Sequence, residues 1–349
     1  MNKIQEDMQC VIDVRDFEDF FESAYKNFRN FTLMQALRHD FNELFFLTDF
    51  QCRPIEFEHP DLRPGSVQFF NVLRDKAEKL EEKLSGKFFY FNGRSLPLFN
   101  WLDIFRDARK ISGPLAARCC ALTGNEAYAC VLPPAFANSL IEAKGTDFLK
   151  RLNMNVRGEC HLKTYSGAVY TAREGLNMSL PKSGAVFLDR DGVLNRDYGY
   201  VHDYDNWEWI PGAKGSIKAM NDAGLYVFIV TNQSGIARGY YTEKEMFALH
   251  ERMREDLRAI GAHIDAIRFC PYHPRGVVAA YRRESDWRKP GAGMLKNLCE
   301  SWPIDLESSF LVGDSEKDIQ AARSMKLPSW LFRESTLDLA AIFKKIVLK

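Results

Sequence analysis

The chain runs to 349 residues, long enough for two domains rather than a single core. At 46% hydrophobic and 27% charged it has ordinary globular composition, which excludes a disordered or membrane-embedded chain. Lys plus Arg and Asp plus Glu number 47 each, so the basic excess expected of a nucleic-acid binder is missing.

No apolar run approaches the roughly 20 residues that span a bilayer. The acidic opening MNKIQEDMQCVIDVRDFEDFFE lacks the basic and apolar regions of a signal peptide. Eight cysteines without regular spacing suit reduced thiols better than a disulfide framework. These features predict a soluble cytoplasmic protein with neither a membrane nor a nucleic-acid partner.

In chain order, Glu43 to Thr48 (ELFFLT) and Lys87 to Asn92 (KFFYFN) read as strands, with a charged helix over Lys76 to Leu84 between them. Pro181, Ser183 and Gly184 then break the pattern, which places a domain boundary there, between residues 1–180 and 181–349. Beyond it, Ala185 to Leu188 reads as a strand and Gly212 to Ala223 as a helix ended by Gly224. Leu225 to Val230 (LYVFIV) has the unbroken apolar run of a strand buried on both faces. Thr242 opens a long helix, with Glu245 completing a capping box and Met246, Leu249, Met253, Leu257 and Ile260 forming its apolar stripe. Strands at Ile264 to Phe269, Phe310 to Val312 and Ser329 to Phe332 alternate with helices at Met294 to Trp302, Glu316 to Met325 and Leu337 to Val347. That alternation predicts an α/β fold with a doubly wound parallel sheet.

Ligands of such sheets bind beyond the carboxyl ends of the strands, and four polar clusters fall there. They are Asp189 and Asp191; Thr231-Asn232-Gln233-Ser234; Arg288-Lys289-Pro290; and Asp314 with Asp318. Alone, each is an ordinary turn, but together and in this order they suit a phosphate ester. Asp189 can attack phosphorus as a covalent nucleophile. Asp191 can serve as acid for the leaving alkoxide and then as base for water. Gly192 allows a sharp turn whose amides face phosphate oxygens, and Thr231 offers a hydroxyl and an amide to the same oxygens. Lys289 supplies positive charge to the phosphoryl group. Asp314, Asp189 and the Asp191 carbonyl make an oxygen-rich site suited to Mg²⁺. Asp318, one helical turn on, is either a further ligand or the group that holds Lys289.

FLDRDGVLN, VTNQSGIARG, RKPGAGM and VGDSEKD resemble the four motifs of the haloacid dehalogenase superfamily of phosphohydrolases. DRDGVLN, GYVHDYDNWEWIPGA and TNQSGIARGYYT are similar, more narrowly, to the D-glycero-D-manno-heptose 1,7-bisphosphate 7-phosphatase family, over about Gly184 to Leu331. The resemblance implies Mg²⁺, an aspartyl-phosphate intermediate and a minimal cap. It makes Asp189 the nucleophile, Asp191 the acid and base, and Asp314 a metal ligand. Thr231, Asn232 and Lys289 become phosphate contacts. Arg288 and the Gly199 to His202 segment would face the sugar or its second phosphate, with Gln233 and Ser234 also on the substrate side. Many relatives carry a zinc loop before Arg-Lys-Pro. Here Cys270 alone stands in a ligand place, since Tyr272, Ser285 and Trp287 occupy the others, so no zinc is expected. A histidinol-phosphate phosphatase shares these motifs, and a non-catalytic sugar-nucleotide-binding or scaffold protein is the reading from another class.

In the first half, FYFNGRSLPLFNWLDIF resembles part of the sugar-1-phosphate nucleotidyltransferases, with DFNELFFLTDF and SLIEAKGTDFLKRL fitting more loosely. Asn92-Gly93-Arg94 puts a cation where that family has a metal-binding Asp, and the Gly-rich phosphate loop is missing from the opening. The resemblance implies a degenerate α/β domain serving binding, docking or self-association, or shielding the second half. An unrelated α/β domain is the other reading. On the first reading, the resemblance to guanylyltransferases implies the GDP-linked heptose branch and the α anomer.

Overall fold

The computed structural model describes residues 182–346 continuously and, before them, nine strands with Thr32, Leu80 and residues 82–84. The chain divides into two compact units, Met1–Leu180 and Pro181–Lys349.

The described strands of the first unit are β1 (Gln9–Asp13), β2 (Glu43–Thr48), β3 (Val67–Asn71), β4 (Phe88–Asn92), β5 (Ser95–Leu98), β6 (Leu115–Cys120), β7 (Glu126–Leu132), β8 (His161–Ser166) and β9 (Ala168–Thr171). Seven form one sheet in the order β3-β2-β1-β4-β7-β6-β8, and β5 pairs with β9 in a separate ribbon. β1 to β4 run parallel, while β7 lies antiparallel to both of its neighbours. Val11, Ile12, Leu44, Phe45 and Phe46 are fully buried, as unbroken apolar runs in central parallel strands require. The strands expected at residues 43–48 and 87–92 are β2 and β4. Most of the helix expected over residues 76–84, with Gly93 and Arg94, lies outside the described residues.

The second unit alternates strand and helix throughout: β10 (Ala185–Leu188), α1 (Ala213–Asp222), β11 (Tyr226–Asn232), α2 (Glu243–Arg258), β12 (Ala266–Cys270), α3 (Gly293–Ser301), β13 (Phe310–Gly313), α4 (Glu316–Ser324), β14 (Ser329–Leu331) and α5 (Leu339–Ile346). All pairings are parallel, in the order β12-β11-β10-β13-β14. The chain builds outward from β10 to β12 and then returns to the other side of β10. The switch point therefore lies between β10 and β13, where ligands of open α/β sheets bind.

Both faces of the central strands are buried, by different partners. Val186, Leu188, Val227, Ile229 and Val312 pack with Ile217 of α1, Leu249 and Met253 of α2 and Ile342 of α5. The alternate residues Tyr226 and Phe228 meet Trp302 after α3, at ring distances of 5.3 and 5.4 Å. No separate domain interrupts the connections at the strand ends, so the cap is minimal. No helix among the described residues is long and apolar enough to cross a membrane.

Element ends depart from expectation where side chains intervene. α2 stops at Arg258, and Ile260 packs from the turn beyond it. The strand expected from Ile264 starts at Ala266, because the Asp265 carboxylate itself takes the Val227 N–H at 2.6 Å.

The Thr242 capping box is present: Thr242 Oγ1 accepts from Glu245 N at 3.3 Å, and Thr242 N donates to Glu245 Oε2 at 2.7 Å. Thr242→Ala should therefore lower unfolding stability by about 1 kcal/mol, read as a lower denaturant midpoint by tryptophan fluorescence.

Candidate active site

β10 ends in a turn that only glycine can complete. Gly192 sits at φ +81°, and a Cβ there would lie 2.3 Å from Asp314 Oδ2. The turn is closed by Gly192 N donating to Asn195 O and Leu194 N donating to Arg190 O, both at 2.8 Å. Asp189 is thereby left at the strand tip, beside Asp314 from the end of the neighbouring β13. One carboxylate oxygen from each of Asp189, Asp314 and Asp318 lies within 4.8 Å of the others.

Lys289 reaches the same point from the loop before α3. Its ammonium lies 2.9 Å from Asp189 Oδ1 and 2.5 Å from Asp318 Oδ1, and donates to Val230 O at 2.8 Å. Burial works against this charge, but Asp189 and Asp318 outweigh it and hold the lysine pKa above its ordinary value. Asp318 is fully buried and also accepts from Ser315 N and Oγ as an N-terminal cap of α4. It is thus the partner of Lys289 and has little left to offer a metal. Burial, reinforced by Asp318 and Asp191 and opposed by Lys289, pushes Asp189 up to about 7. Asp314 is also raised, by burial and then by Asp318. Four carboxylates against the cations Lys289 and Arg190 leave a negative excess with only oxygen donors. Asp189 and Asp314 offer the oxygen donors that a hard divalent cation takes.

The Asp191 side chain is held by partners of its own. Its Oδ1 accepts from Arg190 Nη2 at 2.9 Å and Asn195 Nδ2 at 3.1 Å, and its Oδ2 from Gln233 Nε2 at 2.9 Å.

Two residues expected on the substrate side have their carboxamides hydrogen-bonded within the protein. Asn232 clamps the Lys289 backbone, accepting from its N–H at 3.0 Å and donating to its carbonyl at 3.1 Å. Gln233 is buried, donates to Asp191 and to Thr231 Oγ1, and accepts from the Tyr241 hydroxyl. Both carboxamides make these bonds within the protein. Thr231 is buried beside them at the end of β11, and Ser234 is half-buried in the following turn. Gly199 is exposed at φ +82°, and half-buried His202 stacks on Tyr241 at 4.8 Å. Arg288 is half-buried; with Arg238 and Arg275 it adds to burial in holding His273 below its ordinary pKa.

The loop from Cys270 to Arg288, where the resemblance had implied zinc-ligand places, is held by side-chain contacts. Arg283 lies 3.9 Å over the Tyr272 ring, Trp287 N donates to Ser285 Oγ, and Arg238 Nη2 lies 3.2 Å from His273 Nε2. A thiol, a phenol, a hydroxyl and an indole at the four ligand places do not fit tetrahedral zinc.

A family model described as polynucleotide kinase 3 phosphatase matches residues 187–329. A D-glycero-beta-D-manno-heptose-1,7-bisphosphate 7-phosphatase of Rhodopseudomonas palustris is 44% identical over 173 residues, covering 50% of this chain and 94% of the relative. Through its second unit, the chain belongs to the heptose-bisphosphate phosphatase family. A relative of the same name from Escherichia coli (strain K12) is 44% identical over 138 residues, 40% of this chain and 72% of its own. The solved D,D-heptose 1.7-bisphosphate phosphatase from B. bronchiseptica, complexed with magnesium and phosphate, aligns at 32% identity. It covers 46% of this chain and 97% of its own, with a TM-score of 0.41.

Within this family member, sequence reasoning passed over Arg190, Asn195, Tyr241 and His250. Arg190 is fully buried between the two aspartates, and a charged residue locked inside so tight a turn was its signal. His250 hides in the apolar stripe of α2, beside Leu249.

Burial, and after it Arg190 and Arg254, holds His250 well below its ordinary value of 6.5, so it is neutral in the fold. Below that value the unfolded chain takes up a proton that the fold refuses, so stability falls as pH falls. His250→Gln should remove about 1 kcal/mol of this loss per pH unit, seen by comparing unfolding midpoints of variant and parent from pH 7 to 5.

Proposed function

We propose that the second unit is a Mg²⁺-dependent phosphatase that removes the C7 phosphate of D-glycero-D-manno-heptose 1,7-bisphosphate. The carrying observation is 44% identity across nearly all of a relative named for that reaction. The paired Asp189 and Lys289, with Asp191 beside them, support it from geometry.

The chemistry needs few groups. An Asp189 oxygen attacks phosphorus while the bond from phosphorus to the C7 oxygen breaks, and Asp191 gives its proton to the departing alkoxide. Asp191 then takes a proton from water as that water attacks the aspartyl phosphate. The bond from phosphorus to Asp189 breaks, freeing inorganic phosphate and restoring the Asp189 carboxylate and the protonated Asp191. Lys289 is assigned to the transferring oxygens, with the Thr231 hydroxyl beside it, while the amides of Gly192 and Leu194 are spent on closing the turn. Mg²⁺, held by Asp189, Asp314 and the Asp191 carbonyl, would neutralise the carboxylate excess and screen phosphate charge. Arg288 and the segment Gly199 to His202 are assigned to the sugar and its second phosphate, with Ser234 at the edge.

The first unit is proposed to be a nucleotidyltransferase-like remnant used for docking or self-association, supported by its parallel β1 to β4 sheet and by β4 ending at Asn92. The free Cys10, Cys270 and Cys299 support a reducing cytoplasm. On the anomer, the relatives' names favour β where kinship of the first half had pointed to α. The β form is preferred here, because that likeness lies in the half that carries the chemistry.

Phosphate release with Mg²⁺ should be strong from β-heptose 1,7-bisphosphate, weaker from the α form, negligible from histidinol phosphate, and abolished by Asp189→Asn. Release from none of them by the parent would overturn the assignment. Separately, Mg²⁺ should raise the melting temperature of the parent protein and leave that of Asp314→Asn unmoved in a thermal-shift titration.

A further inference from the structure

We propose that Arg190 is a positioning residue for catalysis: it aims the Asp191 carboxyl and ties it to the loop assigned to the sugar. The inference rests on the phosphatase reading of this site.

The Arg190 guanidinium is pinned on three sides. Towards Asp191, Nη2 reaches Oδ1 at 2.9 Å and Oδ2 at 3.0 Å, and Nε reaches Oδ1 at 3.2 Å. Towards the loop, Nη2 donates to Val201 O at 2.5 Å. Behind it, Nη1 lies 3.3 Å from His250 Nε2. Arginine only donates, so Nε2 must accept, and the burial that keeps His250 neutral preserves that acceptor.

Packing alone does not call for this arrangement. Taking a guanidinium out of water is costly, and buried ion pairs are commonly no better for stability than apolar side chains of similar size. Arg190 is 0% exposed, whereas the Asp191 side chain keeps 20% of its surface open. The pair thus has one sealed end and one end facing the site. A carboxyl that must deliver a proton to one oxygen gains from a fixed direction. A planar fork can hold the carboxylate, the Val201 carbonyl and the imidazole together, and a lysine ammonium cannot. Val201 adjoins His202 in the sugar-facing segment, so one side chain links the position of that segment to the aim of the acid.

Leaving groups separate aiming from simple structural support. A sugar alkoxide needs a proton as it departs, and a 4-nitrophenolate does not. kcat/KM for each ester runs only as far as aspartyl-phosphate formation. Arg190→Lys should lower kcat/KM by about 10²-fold on the heptose bisphosphate and by less than about threefold on 4-nitrophenyl phosphate. Asp191→Asn should show the same split, and the double variant should be no worse than Asp191→Asn. Equal losses on both esters in Arg190→Lys would overturn the proposal while leaving the phosphatase reading standing. Equal losses in Asp191→Asn would instead remove the acid role, and the proposal with it. Should circular dichroism show Arg190→Lys unfolded, His250→Leu, which deletes only the rear acceptor, must give the same split at smaller size. Its failure to do so overturns the proposal equally.

Discussion

The buried ammonium of Lys289 sits between Asp189 and Asp318, within 2.9 Å of one and 2.5 Å of the other. Without it, the tips of β10 and β13 would hold adjacent carboxylates with no cation of the protein between them, and burial would drive them to take up protons. Even with it, Asp189 is raised to about 7. The site is thus electrostatically incomplete by design of its residues. Lys289 compensates part of the negative charge, and the remainder suits a divalent cation and then a phosphate bound to it. The neighbouring carboxylates oppose ionisation of Asp189, and Lys289 favours it, as a divalent cation at the same place would.

Much of the surrounding polar network serves to place these few groups. Asn232 spends both ends of its carboxamide on the backbone of Lys289, which comes from a distant loop. Gln233 joins Thr231, Asp191 and Tyr241 into one chain of hydrogen bonds. Asp318 caps α4 while it holds the lysine. Each side chain is fixed by two or more partners, which is how a buried polar network avoids the cost of unsatisfied groups. The sheet supplies the rigid part, since β10, β11 and β13 are buried along nearly their whole length.

The loop from Cys270 to Arg288 shows how side-chain contacts alone can hold a segment that leads to the site. A guanidinium stacks on Tyr272, and the Trp287 N–H donates to Ser285 Oγ. Cation–π contacts contribute far less than a structural zinc. This loop nevertheless leads directly to Lys289, whose backbone Asn232 holds separately.

The order of strands and helices, the parallel sheet and the grouping of Asp189, Asp191, Lys289 and Asp314 were legible in the sequence. They follow from local rules: continuous apolar runs, caps, and polar residues at strand ends. Tertiary structure alone decided which way each polar side chain points. Asn232 and Gln233 look like Thr231 and Ser234 in the sequence, yet their carboxamides bond to the Lys289 backbone and to Asp191. Asp318 is spaced as a ligand would be, and becomes the lysine's partner because Lys289 arrives from a loop far away in the chain. Arg190 and His250 are 60 residues apart, and nothing local to either announces the other. Periodicity assigns a residue to an element and a face, but the partner of a polar atom depends on which distant backbone packs against that face.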